Sequence, residues 1–162
     1  LYEQAVAKAG LTGRETVFDL YSGTGTISLF LAEQAAIVYG IEYSTAAVAD
    51  AERNAANNRI HNVTFLAGDV AEKIRELQAQ DVRPDVIVLD PPRAGCEESV
   101  LRTSAELAPQ RLVYVSCNPA TLARDLAIFD DLGYASREVQ PVDMFPQTYH
   151  VETVAVIERK KP

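Results

Sequence analysis

The segment Asp85-Val-Ile-Val-Leu-Asp90 sets four consecutive apolar residues between two acids. A strand with no polar residue on either face must be covered on both, as in the middle of a parallel sheet. Short apolar runs of the same kind recur at residues 16–21, 36–42, 63–66 and 112–116. Helical patterns separate them, at residues 45–58, 70–80, 98–107 and 121–132. Strands alternating with helices, joined by right-handed crossovers, give a doubly wound α/β fold. Two further strand candidates, 135–142 and 151–159, have no helix between them. They predict a hairpin-like pair, and hence a seven-stranded sheet with one antiparallel strand.

In such sheets ligands bind beyond the carboxyl ends of the strands. Asp19 to Ser22, Glu42, Asp69, Asp90 and Cys117 all fall at or just after a strand's carboxyl end. The fold is therefore expected to gather four acids and a thiol along one rim.

The stretch Asp19-Leu-Tyr-Ser-Gly-Thr-Gly-Thr-Ile-Ser28 follows a strand and opens a helix. Gly23 and Gly25 permit a tight turn and close approach of backbone to a ligand. Glu42 ends the next strand, where a carboxylate can accept both ribose hydroxyls of a nucleoside. Nicotinamide enzymes share this much. Ser28 in place of a third Gly or Ala, and Asp19 before the turn, favour S-adenosylmethionine. A carboxylate there repels a pyrophosphate but suits a sulfonium and an ammonium. Asp69, after the third strand, can reach an adenine amino group.

Asp90-Pro-Pro-Arg93 forms a stiff loop, because two prolines fix φ and remove donors. In enzymes that methylate exocyclic amines, a similar loop carries an aromatic residue where this chain has Arg93, which weakens that reading. Cys117 stands before Asn118, a good N-cap, and Pro119, which suits a first helical turn. The positive end of that helix is expected to favour the thiolate. A lone cysteine at a strand end is ordinarily inert core, as Cys96 is taken to be. The neighbouring loops shift Cys117 toward a nucleophile. Adding a thiolate to carbon 6 of a pyrimidine makes carbon 5 enolate-like, able to attack a methyl sulfonium. The carbon 5 proton must then leave to a base, and His150 and Glu152 both qualify.

Asp90-Pro-Pro-Arg-Ala-Gly95, Tyr114-Val-Ser-Cys-Asn-Pro-Ala-Thr121 and Asp143-Met-Phe-Pro-Gln-Thr-Tyr-His-Val-Glu152 resemble the signature segments of the RNA (uracil-5-)-methyltransferase family. The resemblance covers essentially the whole chain. It implies a class I, Rossmann-like S-adenosylmethionine-dependent methyltransferase domain over residues 1–162, with the nucleophile at Cys117 and the proton-abstracting base at Glu152. It implies cofactor contacts at Tyr21, Thr26, Glu42, Asp69 and Asp90, and no metal. The substrate it implies is a uridine of RNA, and the wording of the cysteine and glutamate motifs is closer to the 23S ribosomal than to the transfer-RNA branch. Full-length members also carry an N-terminal RNA-binding domain, so the chain is expected to be the catalytic fragment of a longer parent.

Composition bounds the alternatives. The chain holds 2 Cys, too few for a secreted disulfide framework, so a cytoplasmic protein with free thiols is expected. No apolar run reaches membrane-spanning length, and residues 1–10 do not read as a signal peptide. The formal net charge of -8 runs against a nucleic-acid-binding face. Either a local patch of Arg93, Arg124, Arg159, Lys160 and Lys161 compensates, or another domain holds the RNA. Competing readings are a cytosine carbon 5 or other RNA methyltransferase, a nicotinamide dehydrogenase, and a binding module that kept the fold without the chemistry.

Overall fold

The computed structural model describes residues 1–161. Seven strands form one sheet: β1 (Thr16–Leu20), β2 (Ile37–Glu42), β3 (Val63–Ala67), β4 (Val86–Leu89), β5 (Arg111–Ser116), β6 (Tyr134–Val142) and β7 (Glu152–Arg159). Their spatial order is β3-β2-β1-β4-β5-β7-β6. β1 to β5 are parallel neighbours, and β7 runs antiparallel to both β5 and β6. The expected sheet, with its single reversed strand, is present. The order turns back on itself between β1 and β4, which opens a crevice above their carboxyl ends.

Six helices cover the sheet: α1 (Tyr2–Ala9), α2 (Thr26–Ala32), α3 (Thr45–Asn57), α4 (Val70–Ala79), α5 (Glu98–Glu106) and α6 (Pro119–Asp131). Side chains alternate along each strand, so the two faces differ in composition. Val86, Val88, Val113, Val115 and Val154 pack with Ala5, Ala9 and Leu31 of α1 and α2. Ile87, Leu89, Leu112, Tyr114 and Ile157 pack with Ile74, Leu101, Leu122 and Phe129 of α4, α5 and α6. Small residues on one face let α1 approach closely. Bulky ones on the other fill a thicker layer.

The helix α1 was not expected from the sequence. Its buried residues are Ala5, Val6 and Ala9, which give a weak apolar stripe. Eight residues are too few to be helical alone in water. Packing against α2 and the edges of β4, β5 and β7 supplies the stability. Gly10 ends α1 in the left-handed region (φ 65°), and a Cβ there would stand 2.2 Å from Arg111 Nη1.

Candidate active site

The turn after β1 places Tyr21 (φ 65°), Gly23 (φ 54°) and Gly25 (φ 84°) in the left-handed region. Gly25 is the N-cap of α2, and a Cβ on it would meet Phe65 at 2.7 Å. Glu42 holds this turn from the end of β2. One oxygen accepts from Gly23 N at 3.0 Å and the other from Ser44 N at 2.8 Å. Gly68 N donates to Glu42 O at 2.9 Å, which sets Asp69 beside Glu42 on the rim. Asp69 caps α4, accepting from Glu72 N at 2.9 Å.

Asp19 is fully buried. Ser28 Oγ donates to its Oδ2 at 2.5 Å, and its Oδ1 has no partner. Ser28 is thus the donor that keeps a buried carboxyl in place. Burial, and then the charge of Asp90, push the Asp19 carboxyl up to about 7. A cavity of about 190 Å³ lies against Tyr2, Asp19, Tyr21, Ser22, Thr26 and Asp90. Tyr2 had no sequence signal, because the helix that delivers it was itself unexpected. Tyr21 is half-buried, and burial, then the neighbouring Cys96, raise its hydroxyl well above the usual range. A free carboxylate oxygen, an unpartnered Ser22 hydroxyl and glycine backbone around one cavity match a ligand with an ammonium and a sulfonium. The residues present around this cavity therefore fit S-adenosylmethionine.

Farther along the rim, Ser116 pairs with Thr153 across β5 and β7. Cys117 is the first residue beyond β5 and Glu152 the first of β7, so continuing the ladder by one step sets them opposite each other. Cys117 is a half-buried free thiol. Ser116 Oγ accepts from Asn118 N at 3.0 Å, and Asn118 Oδ1 accepts from Ala120 N at 3.1 Å, capping α6. Asp90 is half-buried, and its carboxyl is pushed up to about 6, first by burial and then by the charge of Glu152. Asp19, Asp90 and Glu152 thus form an electrostatically linked row from the cofactor cavity to the thiol.

The Asp-Pro-Pro loop is clamped to α6 by residues that sequence reasoning missed. Asp125 is fully buried and accepts from Cys96 N (2.9 Å), Tyr114 OH (2.5 Å) and Arg124 Nε (2.8 Å). Arg124 Nη2 donates onward to Ala94 O and Cys96 O, at 3.1 and 3.2 Å. Asn118 Nδ2 and Thr121 Oγ1 hold Arg93 O at 3.3 and 3.2 Å. Gly95 (φ 80°) is required here, since a Cβ would meet Arg124 Nη2 at 2.5 Å and Asp125 Oδ2 at 2.7 Å. The signal was available: Leu122, Asp125 and Phe129 share the buried stripe of α6, and an acid on such a stripe needs buried donors. Cys96 is buried and packed as expected, and burial pushes its thiol up to about 12.

Of the two alternatives for the unfavourable charge, the local basic patch is not assembled. Arg124 is committed to Asp125, and Lys160 Nζ lies 2.9 Å from Asp130. Because β7 runs backwards, Arg159, Lys160 and Lys161 fall at the opposite end of the sheet from Cys117. Arg93 stands at the rim without a carboxylate partner among the described residues, and its Nη2 meets His150 Nδ1 at 3.1 Å.

A glycine turn at the crevice of a 3-2-1-4-5-7-6 sheet, with acids at the next two strand ends, defines a class I S-adenosylmethionine-dependent methyltransferase. Residues 5–160 match the family model described as tRNA (Uracil-5-)-methyltransferase, and the chain belongs to that family. It is 58% identical over 160 residues to an uncharacterized RNA methyltransferase of Halalkalibacterium halodurans, covering 99% of this chain and 35% of that protein. An uncharacterized RNA methyltransferase of Geobacter sulfurreducens is 57% identical, with 100% and 33% covered. The chain therefore spans about a third of the length of these relatives. Among solved structures, the Pyrococcus abyssi tRNA (uracil-54, C5)-methyltransferase in complex with S-adenosyl-L-homocysteine superposes with a TM-score of 0.80. It is 33% identical, covering 96% of this chain and 37% of that one. Among the described residues no helix is long and apolar enough to cross a membrane.

Proposed function

We propose that this chain is the catalytic part of a longer enzyme that methylates carbon 5 of a uridine in RNA. The observation that carries the reading is the Ser116–Thr153 register, which sets Cys117 and Glu152 together at the cofactor rim. S-adenosylmethionine, when bound, supplies a methyl group activated on a sulfonium. Cys117 sulfur bonds to carbon 6 of the uracil, and the electron pair of the 5,6 double bond moves onto carbon 5 and carbon 4 oxygen. Carbon 5 would then take the methyl group as the bond from methyl to sulfonium breaks, the electron pair staying on that sulfur, which leaves as a neutral thioether. Glu152 removes the carbon 5 proton, the double bond re-forms and the sulfur departs, so Cys117 is regenerated. Tyr21, Thr26, Glu42, Asp69 and Asp90 hold and orient the donor.

Glu152 is preferred over His150 as the base on chemical grounds. A guanidinium only donates hydrogen bonds, so His150 Nδ1 must accept from Arg93 and its lone pair is engaged. For the RNA, we propose 23S ribosomal RNA, on the likeness of residues 114–121 and 143–152 to the ribosomal branch. The similar Pyrococcus abyssi enzyme acts on tRNA, which makes transfer RNA the second reading.

In the full-length enzyme, Cys117→Ala should abolish methyl transfer and leave S-adenosylmethionine binding nearly intact. Glu152→Gln should slow turnover by roughly 100-fold or more and let a covalent protein–RNA adduct accumulate. Normal turnover by Cys117→Ala would end the covalent mechanism. Mapping 5-methyluridine by mass spectrometry in total RNA, with and without the enzyme, decides between ribosomal and transfer RNA.

A further inference from the structure

The tip between β6 and β7 keeps its rings out of the protein's own core. Tyr149 is 92% exposed, Phe145 51% and Met144 47%. The tip is nonetheless organised. Thr148 donates to Phe145 O from its N at 3.2 Å and from its Oγ1 at 2.8 Å, and His150 N donates to Thr148 Oγ1 at 3.2 Å. Gln147 completes the turn in the left-handed region (φ 68°). The turn gathers three rings: His150 lies 4.7 Å from Tyr149 and, edge-on, 6.4 Å from Phe145. Arg93 reaches from the Asp-Pro-Pro loop to hold the middle ring. Glu152 is two residues beyond His150.

We propose that this tip is a stacking platform for an unpaired nucleobase beside the target uridine, with Tyr149 and Phe145 offering ring faces and Arg93 a cation for the adjoining phosphate. The proposal rests on the assignment of Cys117 and Glu152 to carbon 5 chemistry. A uridine cannot present carbon 6 to a sulfur while stacked in a helix, so it must be turned out. Its neighbour then loses a stacking face. Aromatic side chains replace such faces, and RNA readers use them on splayed single strands rather than on duplexes. With a net charge of -8, and with Arg124 and Lys160 each in an ion pair, stacking is a natural supplement to backbone attraction on this domain. The platform is held on both sides of the reaction, by β7 and by the loop that ends β4. A bound base would therefore set the distance of its neighbour from Cys117.

The test uses the full-length enzyme, hypomethylated total RNA and tritiated S-adenosylmethionine. A short loop RNA with 2-aminopurine next to its uridine reports stacking. Tyr149→Ala and Phe145→Ala should each raise the RNA KM about tenfold, the order of one base–aromatic stack, and abolish 2-aminopurine quenching. The S-adenosylmethionine Kd should hold. Tyr149→Phe should restore both readouts and Tyr149→Leu neither. Full restoration by Tyr149→Leu would overturn the proposal, since apolar area rather than a ring would then suffice. So would an unchanged RNA KM accompanied by a fall in Tm or a change of oligomeric state, which would show the tip packed on protein. Turnover by Cys117→Ala alongside these losses would refute the nucleophile and leave the platform standing.

Discussion

The two ends of the sheet treat the same kinds of residue in opposite ways. At the amino ends of the strands, acids have donors. Glu15 accepts from Thr12 N and Oγ1 and its carboxyl is held down at about 2, chiefly by the Thr12 hydroxyl. Asp85 accepts from Thr16 N at 2.9 Å, and Arg111 binds Glu158 at 2.7 Å. A cavity of about 320 Å³ opens at this end too, but these groups along its wall already answer one another. At the carboxyl ends Asp19 has an idle oxygen, and Asp19 and Asp90 are pushed up rather than down. Carboxyls without cations hold stability in reserve until a cation arrives. At the carboxyl ends Glu42 and Asp69 are held by backbone donors, whereas Asp19 keeps an oxygen without one.

Four experiments would break or sharpen that contrast. Asp125 is the paired acid on the active side, and Asp125→Ala should have the largest effect on the fold. It leaves Cys96 N and Tyr114 OH buried without an acceptor, at a cost of about 3 kcal/mol together. Urea titration should show this as a lower midpoint, and a midpoint within error of the parent would mean that the clamp is idle. Methyl transfer should fall as well, because Asp90 loses its anchored loop.

Next is Asp19→Asn. It removes a charge aimed at the cationic donor, and should weaken S-adenosylmethionine binding roughly tenfold, measured calorimetrically at pH 8. The same variant should also be more stable than its parent at that pH. The sign follows from linkage: Asp19 holds its proton more tightly folded than unfolded, so folding loses stability as pH rises from its usual 3.8 through about 7. Glu15 works the other way, contributing stability above 4.5 that is lost only as pH falls through about 2. A parent protein whose Tm climbs steadily from pH 5 to pH 8 would contradict the account of the rim.

A gentler effect is expected in the unmutated enzyme. Cation binding favours ionised carboxylates, so its affinity for S-adenosylmethionine should strengthen several-fold between pH 5 and pH 8. A flat profile would leave Asp19 and Asp90 without a role in binding. Smallest of all is Glu158→Gln at the far end. A half-exposed pair there is worth under about 1 kcal/mol, and donor binding should not change.

Much of this architecture was legible in the chain. Uninterrupted apolar runs such as 85–90 marked doubly covered strands, and the lack of a helix between 142 and 151 marked the reversed strand. Because the rim follows from strand ends, the pattern of apolar runs is enough to place it. What escaped notice depended on tertiary contacts. The stripe of α1 is small and its helix is too short to stand alone, so only docking reveals it and the Tyr2 it brings to the cavity. Asp125 looked like any helix acid until its neighbours Leu122 and Phe129 proved buried. Between a local basic patch and a second domain, the chain order alone does not choose. Nearness in chain order groups Arg159 to Lys161 with the final strand's end, and only the direction of β7 shows that this end lies far from Arg93.

That reversed strand has a consequence for how the molecule comes apart. The glycine turn and its acids belong to β1 through β4, which are complete in chain order before β7 begins. The thiol and its neighbouring acid align only through the β5–β7 ladder. Any opening that peels β7 away separates sulfur from carboxylate in one stroke and also loosens α1, which packs on β7 and carries Tyr2 to the cavity. On the proposed chemistry, loss of that ladder alone should end methyl transfer, so reactivity and structural integrity fail together at a single seam.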